Sequence, residues 1–172
     1  MLALNAVSLG KSRGSDPILK IMRQQVVDRY LIVRLSGVGC LLRLAEVVEV
    51  CKQIADQVDW QRADLSVGIV GSFNFRNASI PVVNPTLQLG LESGCSREDQ
   101  AALVLSGAEG HWALLVDEVD GIAQASNFVA CEIPLLLKNS ISGYYSEIVL
   151  YRGEPMIVLE QDRFYGISVE VS

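Results

Sequence analysis

The spacing of apolar residues changes at Arg29. Before it, Asp16-Pro17 sets a capping side chain ahead of a proline, whose missing N–H costs nothing in the first turn of a helix. Ile18, Ile21, Met22 and Val26 then recur at helical spacing, which predicts a short amphipathic helix over 17–28. Residues 1–15 show no period and are expected to be a flexible or partner-ordered tail.

From Arg29 onward the pattern is that of short strands. RYLIVRL and GCLLRLA flank Ser36-Gly37-Val38 and predict an opening hairpin. EVVEVCKQI fits a brief helix or a strand, and residues 52–66 are polar and irregular apart from Trp60. In SFNFRNASIPVVN, Phe73 and Phe75 fall on one face and Ser72, Asn74 and Arg76 on the other, the alternation of a strand buried on one side. Asn77-Ala78 predicts the turn, since asparagine tolerates a positive φ, and Pro81 predicts that the returning strand lies toward a sheet edge. AALVLSG, HWALLVDEV and GIAQAS predict three more strands, with turns at Gly107 and Gly110. EIVLYRGEPMIVLE predicts a closing hairpin that turns at Arg152-Gly153. Two proline-bearing hairpins, each a few residues past a glycine (Gly71 and Gly143), form an internal echo that points to two related sub-barrels. Many short strands and few helices predict a mainly-β barrel architecture.

A chain of 172 residues supports one domain, or two small interlocked ones, without disulfide staples. Cys40, Cys51, Cys95 and Cys131 show no C-x-x-C spacing, and one histidine is poor company for a zinc site. The cysteines are expected to be small core residues in a reducing cytoplasm, and neither a secretory segment nor a run of about 20 apolar residues is seen. Half the residues are hydrophobic and the mean hydropathy is +0.32, which implies a large core fraction or apolar surface kept for a partner. Charge is uneven: residues 1–52 carry eight basic against four acidic side chains, and residues 92–132 one against eight. Such a division lacks the continuous positive footprint of a nucleic-acid binder.

Catalytic devices are sparse. His111 is the only imidazole and reads as an ordinary strand-edge residue. Asp117, Glu118 and Asp120 form the densest carboxylate group, suited in principle to acid–base work or a hard cation. They follow a strand and lack a calcium-loop pattern, so solvated turn residues are the simpler reading. Phosphate-binding glycine motifs are absent from the sequence, and no cofactor is expected.

GIVGSFNFRNASIPVVN, WALLVDEVDGI and ISGYYSEIVLYRGEPMIVLE together resemble the CheW-like domain of bacterial chemotaxis coupling proteins, over about Tyr30 to Glu160. Gly71, Asn74, Arg76, Pro81 and Val116-Asp117 fall where that family places its own residues, and Val47 and Glu49 match positions just after its opening hairpin. The sequence departs from the pattern at Asn77 (usually glycine), at Asn84-Pro85 (usually Asp-Leu), at Glu160 (commonly Asp) and in the proline-free approach between Cys51 and Gly68. The resemblance implies two five-stranded β-barrels around a shared core, with 29–172 as one CheW-like domain and 1–28 as a tail and helix. It further implies a cytoplasmic, non-catalytic adaptor that couples the cytoplasmic tip of methyl-accepting chemoreceptors to a CheA-type histidine kinase, without membrane insertion of its own. Partner-surface positions carried over are Arg76, Gly71, Asn74, Val47 and Glu49. A pilus-motility or other chemosensory-like system, a fold that has lost kinase coupling, and a small-molecule-binding or catalytic barrel using the Asp117 group remain alternatives.

Two residues have a plain structural reading as well. Arg76 serves either as a partner-facing anchor, whose planar fork pairs with a carboxylate, or as a solvated charge blunting a strand edge. Val47, β-branched in an apolar segment, is either core or interface.

Overall fold

The computed structural model describes residues 28–92, 94–133 and 143–165. The helix expected over 17–28 lies, but for its last residue, outside them. Twelve strands occur among the described residues: β1 (Arg29–Leu35), β2 (Val38–Arg43), β3 (Val47–Cys51), β4 (Val58–Asp59), β5 (Ile69–Phe75), β6 (Ala78–Val83), β7 (Ala101–Gly107), β8 (Gly110–Val116), β9 (Glu118–Gln124), β10 (Phe128–Cys131), β11 (Tyr145–Tyr151) and β12 (Glu154–Leu159). One short helix, α1 (Pro85–Leu89), follows β6. Its start explains Asn84-Pro85: the Asn84 Oδ1 accepts the Thr86 N–H at 3.1 Å, and proline fills the first helical position. The ambiguous EVVEVCKQI forms strand β3, in keeping with its valines.

The strands form two six-stranded sheets, ordered β10-β11-β12-β2-β1-β9 and β3-β7-β8-β6-β5-β4. Read in reverse, the second order repeats the first. In each sheet a hairpin joins a second hairpin through a parallel pair, β12 with β2 and β6 with β8. The equivalence extends to irregularities: β9 bulges opposite Ile32/Val33 of β1, and β3 bulges where it pairs with Val104 and Leu105 of β7. The internal echo in the sequence is therefore a repeat of topology. Each lobe has six strands where the resemblance implied five, and among the described residues the end strands of a sheet do not pair with each other.

Three apolar clusters explain the hydrophobic content. Leu31, Val33, Leu35, Cys40, Leu42, Leu103, Leu105, Trp112, Leu114 and Val116 belong to a core shared by both sheets. Ile32, Leu41, Val149, Met156 and Val158 fill the first sheet's own interior, and Phe73, Phe75, Ile80, Val82, Val104 and Leu115 fill the second's. Strands β1, β2, β7 and β8 send alternate residues to the shared core and to their own lobe. Both faces are buried, so these strands read as continuous apolar runs.

Several local expectations are revised. The hairpin between β5 and β6 turns at Arg76-Asn77, not Asn77-Ala78, because Phe75 pairs with Ala78 and leaves a two-residue loop. Both loop residues have positive φ, 49° and 65°, as such a tight hairpin turn requires. Strand β6 is central, not near an edge. Opposed residues alternate between hydrogen-bonded and unbonded pairs, and counting from the turn, Ser72↔Pro81 is an unbonded pair. Parallel pairing with β8 begins only at Val82, so the absent proline N–H leaves no gap in either ladder. HWALLVDEV is not one strand: it breaks at Asp117, where the chain passes from the second sheet to the first. Of the four cysteines, all free, Cys40 alone is fully buried, and Cys131 is exposed.

Candidate protein-docking site

Arg76 occupies the first turn position at the tip of the β5–β6 hairpin. Its guanidinium lies 4.7 Å from the centre of the Phe75 ring, and Phe75 is itself buried and meets His111 edge-on at 5.6 Å. The hairpin is thus fixed from below while the cation faces out. Arg76 Nη2 stands 3.5 Å from Glu49 Oε2. Side-chain exposures of 66% and 48% make this a screened surface pair, available for exchange with a partner's groups.

Glu49 comes from β3, the end strand on the opposite side of the sheet order from β5, and curling of the sheet round its own core brings the two together. Val48 and Val50 of the same strand are also exposed, with Val50 on the opposite face of the strand from Glu49. Asn74 is exposed on β5. Val47 is half-buried and packs against the shared core. Gly71 is buried, and a Cβ there would lie 2.8 Å from both the Asp59 carbonyl oxygen and Val58 Cγ1. Of the five residues singled out from sequence, the structure joins Arg76 and Glu49 at one surface, whereas Gly71 acts from within.

The acidic group serves a different purpose. Asp117 Oδ2 accepts the Ser36 N–H at 2.7 Å and Oδ1 accepts from Gln100 Nε2 at 3.0 Å, so both oxygens are engaged where the chain changes sheets. The β9 bulge releases Asp120 from the ladder, and its Oδ2 accepts from Arg34 Nε at 2.7 Å. Arg34 also grips both carboxylate oxygens of Glu154, with Nη2 to Oε2 at 3.0 Å. This pairing raises the Arg34 pKa and lowers that of Glu154. Glu118 is solvated as expected, but it opens strand β9 and does not lie in a turn. An open recess of about 610 Å³, lined by Arg34, Ser36, Asp117 and Glu118 among others, borders this corner. Asp117 holds the seam between sheets and Asp120 ties strands within the first sheet, so both aspartates are engaged. Among the described residues no His, Cys, Asp or Glu cluster is placed to hold a metal. Burial pushes the Cys40 thiol up to about 12, which keeps it a thiol at neutral pH.

The family model of the CheW-like domain matches residues 29–166. This chain belongs to the CheW-like domain family. Its structure is similar to the crystal structure of scaffolding protein TtCheW from Thermoanaerobacter tengcongensis, with a TM-score of 0.65 and 15% identity, over 82% of this chain and 89% of that one. At that identity the likeness is one of fold. No curated protein matches. The CheW-like family is one of non-catalytic chemotaxis coupling scaffolds, and no helix among the described residues is long and apolar enough to cross a membrane.

Sequence reasoning missed the Arg34–Asp120–Glu154 cluster of this CheW-like fold. Its members lie 86 and 120 residues apart and carry no local signal. Glu49 as the partner of Arg76, 27 residues away, was equally hidden, because only the curl of the sheet brings them within reach.

Proposed function

We propose that this chain is a non-catalytic adaptor that couples the cytoplasmic tip of methyl-accepting chemoreceptors to a CheA-type histidine kinase, and that it docks through β3 and the β5–β6 tip. The observation that carries this reading is the meeting of Arg76, at the tip of the β5–β6 hairpin, with Glu49 of β3 in an exposed pair on the surface of a CheW-like fold. An arginine stacked on a fixed aromatic ring keeps its fork oriented at low entropic cost, and such residues dominate binding energy at protein interfaces. Asn74 lines the same hairpin, Val47 supports β3 from the core, and Gly71 admits β4 close enough to brace β5. Residues 29–172 form the docking unit, with 1–28 appended to it. The protein is cytoplasmic and reaches receptor arrays through its partners.

The test is interferometry of wild type and Arg76→Ala against a chemoreceptor cytoplasmic fragment and the regulatory region of a CheA-type kinase, both from the same genome. Truncation is expected to weaken at least one partner by about 1–3 kcal/mol. Melting temperature should barely move, since the Glu49 pair is exposed. Unchanged affinity for both partners would sink the role of Arg76, and absence of binding by wild type would sink the adaptor reading. Running the same assay with flagellar and pilus-associated receptor fragments assigns the pathway.

A further inference from the structure

Each sheet has two end strands, and natural edges are normally blunted by short length, charge, proline or a bulge. Three of the four ends carry a charge, two of them with a bulge as well. Strand β4 is two residues long and includes Asp59; β3 has a bulge at Val48 and carries Glu49; β9 has a bulge at Asp120 and carries Glu118. Strand β10, four residues long, has none of the other three devices. It reads Phe128-Val129-Ala130-Cys131, without charge or proline, in unbroken register with β11 from Phe128↔Tyr151 to Cys131↔Ile148. Val129 is 63% exposed, and Ala130 and Cys131 are exposed as well.

At one end of β10 stands the tip of the β11–β12 hairpin. Tyr30, Phe128 and Tyr151 meet edge to face at 5.4 and 5.7 Å, and Arg152 caps them with its guanidinium 5.1 Å from the Tyr151 ring. Arg152 has a φ of 52°, at a turn position where asparagine, aspartate or glycine is less strained. It is the topological counterpart of Arg76, yet has no ion-pair partner among the described residues. At the other end of β10, Glu132 is exposed and likewise unpaired among the described residues.

We propose that two copies of this chain associate by antiparallel pairing of their β10 edges about a two-fold axis at Val129, with Glu132 of each copy meeting Arg152 of the other. The strand is self-complementary in this register. Val129 lies against itself on the axis, which covers its exposed side chain. Phe128 and Ala130 share one face by alternation, which pairing between copies extends to Glu132 just past the strand end, and Phe128 faces Ala130 of the other copy. Glu132 then falls two residues past the other copy's Phe128, toward its hairpin tip and on the face where Tyr151 and Arg152 lie. Opposite charges sit at the two ends of a neutral edge, so the antiparallel arrangement pairs them twice. A ladder this short buries less than a stable dimer needs, so the association is weak and is read at high protein concentration.

Sedimentation equilibrium on the full chain, from micromolar to millimolar, tests this. A concentration-dependent dimer is expected, lost in Val129→Lys and weakened at least tenfold in both Arg152→Glu and Glu132→Arg. The charge-swapped double variant, Arg152→Glu with Glu132→Arg, should restore dimerisation to within about threefold of wild type. Unchanged melting temperatures show that the variants fold. A monomer throughout the range, a dimer indifferent to Val129→Lys, or a double variant that is no better than the singles would each overturn the proposal.

Discussion

Arg34 of β1 meets two carboxylates from two other strands. A bulge turns Asp120 toward it, and Glu154 meets it from β12, so one guanidinium ties β1, β9 and β12 together. Lysine lacks the fork to reach both acids, so Arg34→Lys should lower the melting temperature. Glu154 titrates below the usual carboxylate range because Arg34 donates to it. A carboxylate whose folded pKa is depressed adds stability above its unfolded value, near 4.3, and loses it as pH falls through the folded value. The melting-temperature gap between wild type and Glu154→Gln should therefore be widest near neutrality and shrink as pH falls below about 4.3. Equal gaps at pH 7 and pH 3 would contradict that assignment. Gly71 is a simpler case: with a backbone oxygen 2.8 Å from where a Cβ would sit, Gly71→Ala should cost about 1–3 kcal/mol in chemical denaturation. Its effect on partner binding should follow from displacement of β5, not from a lost contact.

Hairpins are the elements that decide what this chain presents. Two of them place arginine first and asparagine or glycine second in a two-residue loop of positive φ, Arg76-Asn77 and Arg152-Gly153. Alanine at Asn77 should destabilise by about 1 kcal/mol, since it lacks the polar side chain that eases a left-handed backbone. Thermal unfolding of Asn77→Ala beside Asn77→Gly measures this, with the glycine variant at least as stable as wild type. The turn was legible from Asn77, but its frame was not. The loop length is set by which residues pair, and Phe75 pairs with Ala78 because that register buries Phe73, Phe75 and Ile80 together. Pro81 misled for a related reason. It excludes a central strand only if its nitrogen points at a neighbour within the ladder, and register decides that.

At the level of the whole molecule, stability is divided among three clusters. Trp112 lies in the shared core, packed with residues of both sheets, so Trp112→Ala should cost about 3–5 kcal/mol and loosen both lobes at once. Leu41 lies within the first sheet's own interior, and Leu41→Ala should raise amide exchange there before it does in β5 and β6. Equal exchange across both sheets in the Leu41 variant would show that the lobes do not open separately.

Read along the chain alone, the residues disclose the mainly-β class, most strand positions, the closing hairpin at Arg152-Gly153, a hairpin near Asn77 though not its frame, and the family resemblance that the family model bears out. These depend on alternation, turn chemistry and local motifs, all read within a dozen residues. Long-range pairing makes β6 and β12 central, sets Asp117 at the seam and Asp120 against Arg34, and turns Glu49 toward Arg76. It also gives the two halves a repeated topology. Pairing between strands far apart in sequence fixes these features, through parallel ladders, matched bulges and the curl of each sheet round its core, and local propensity carries no term for them.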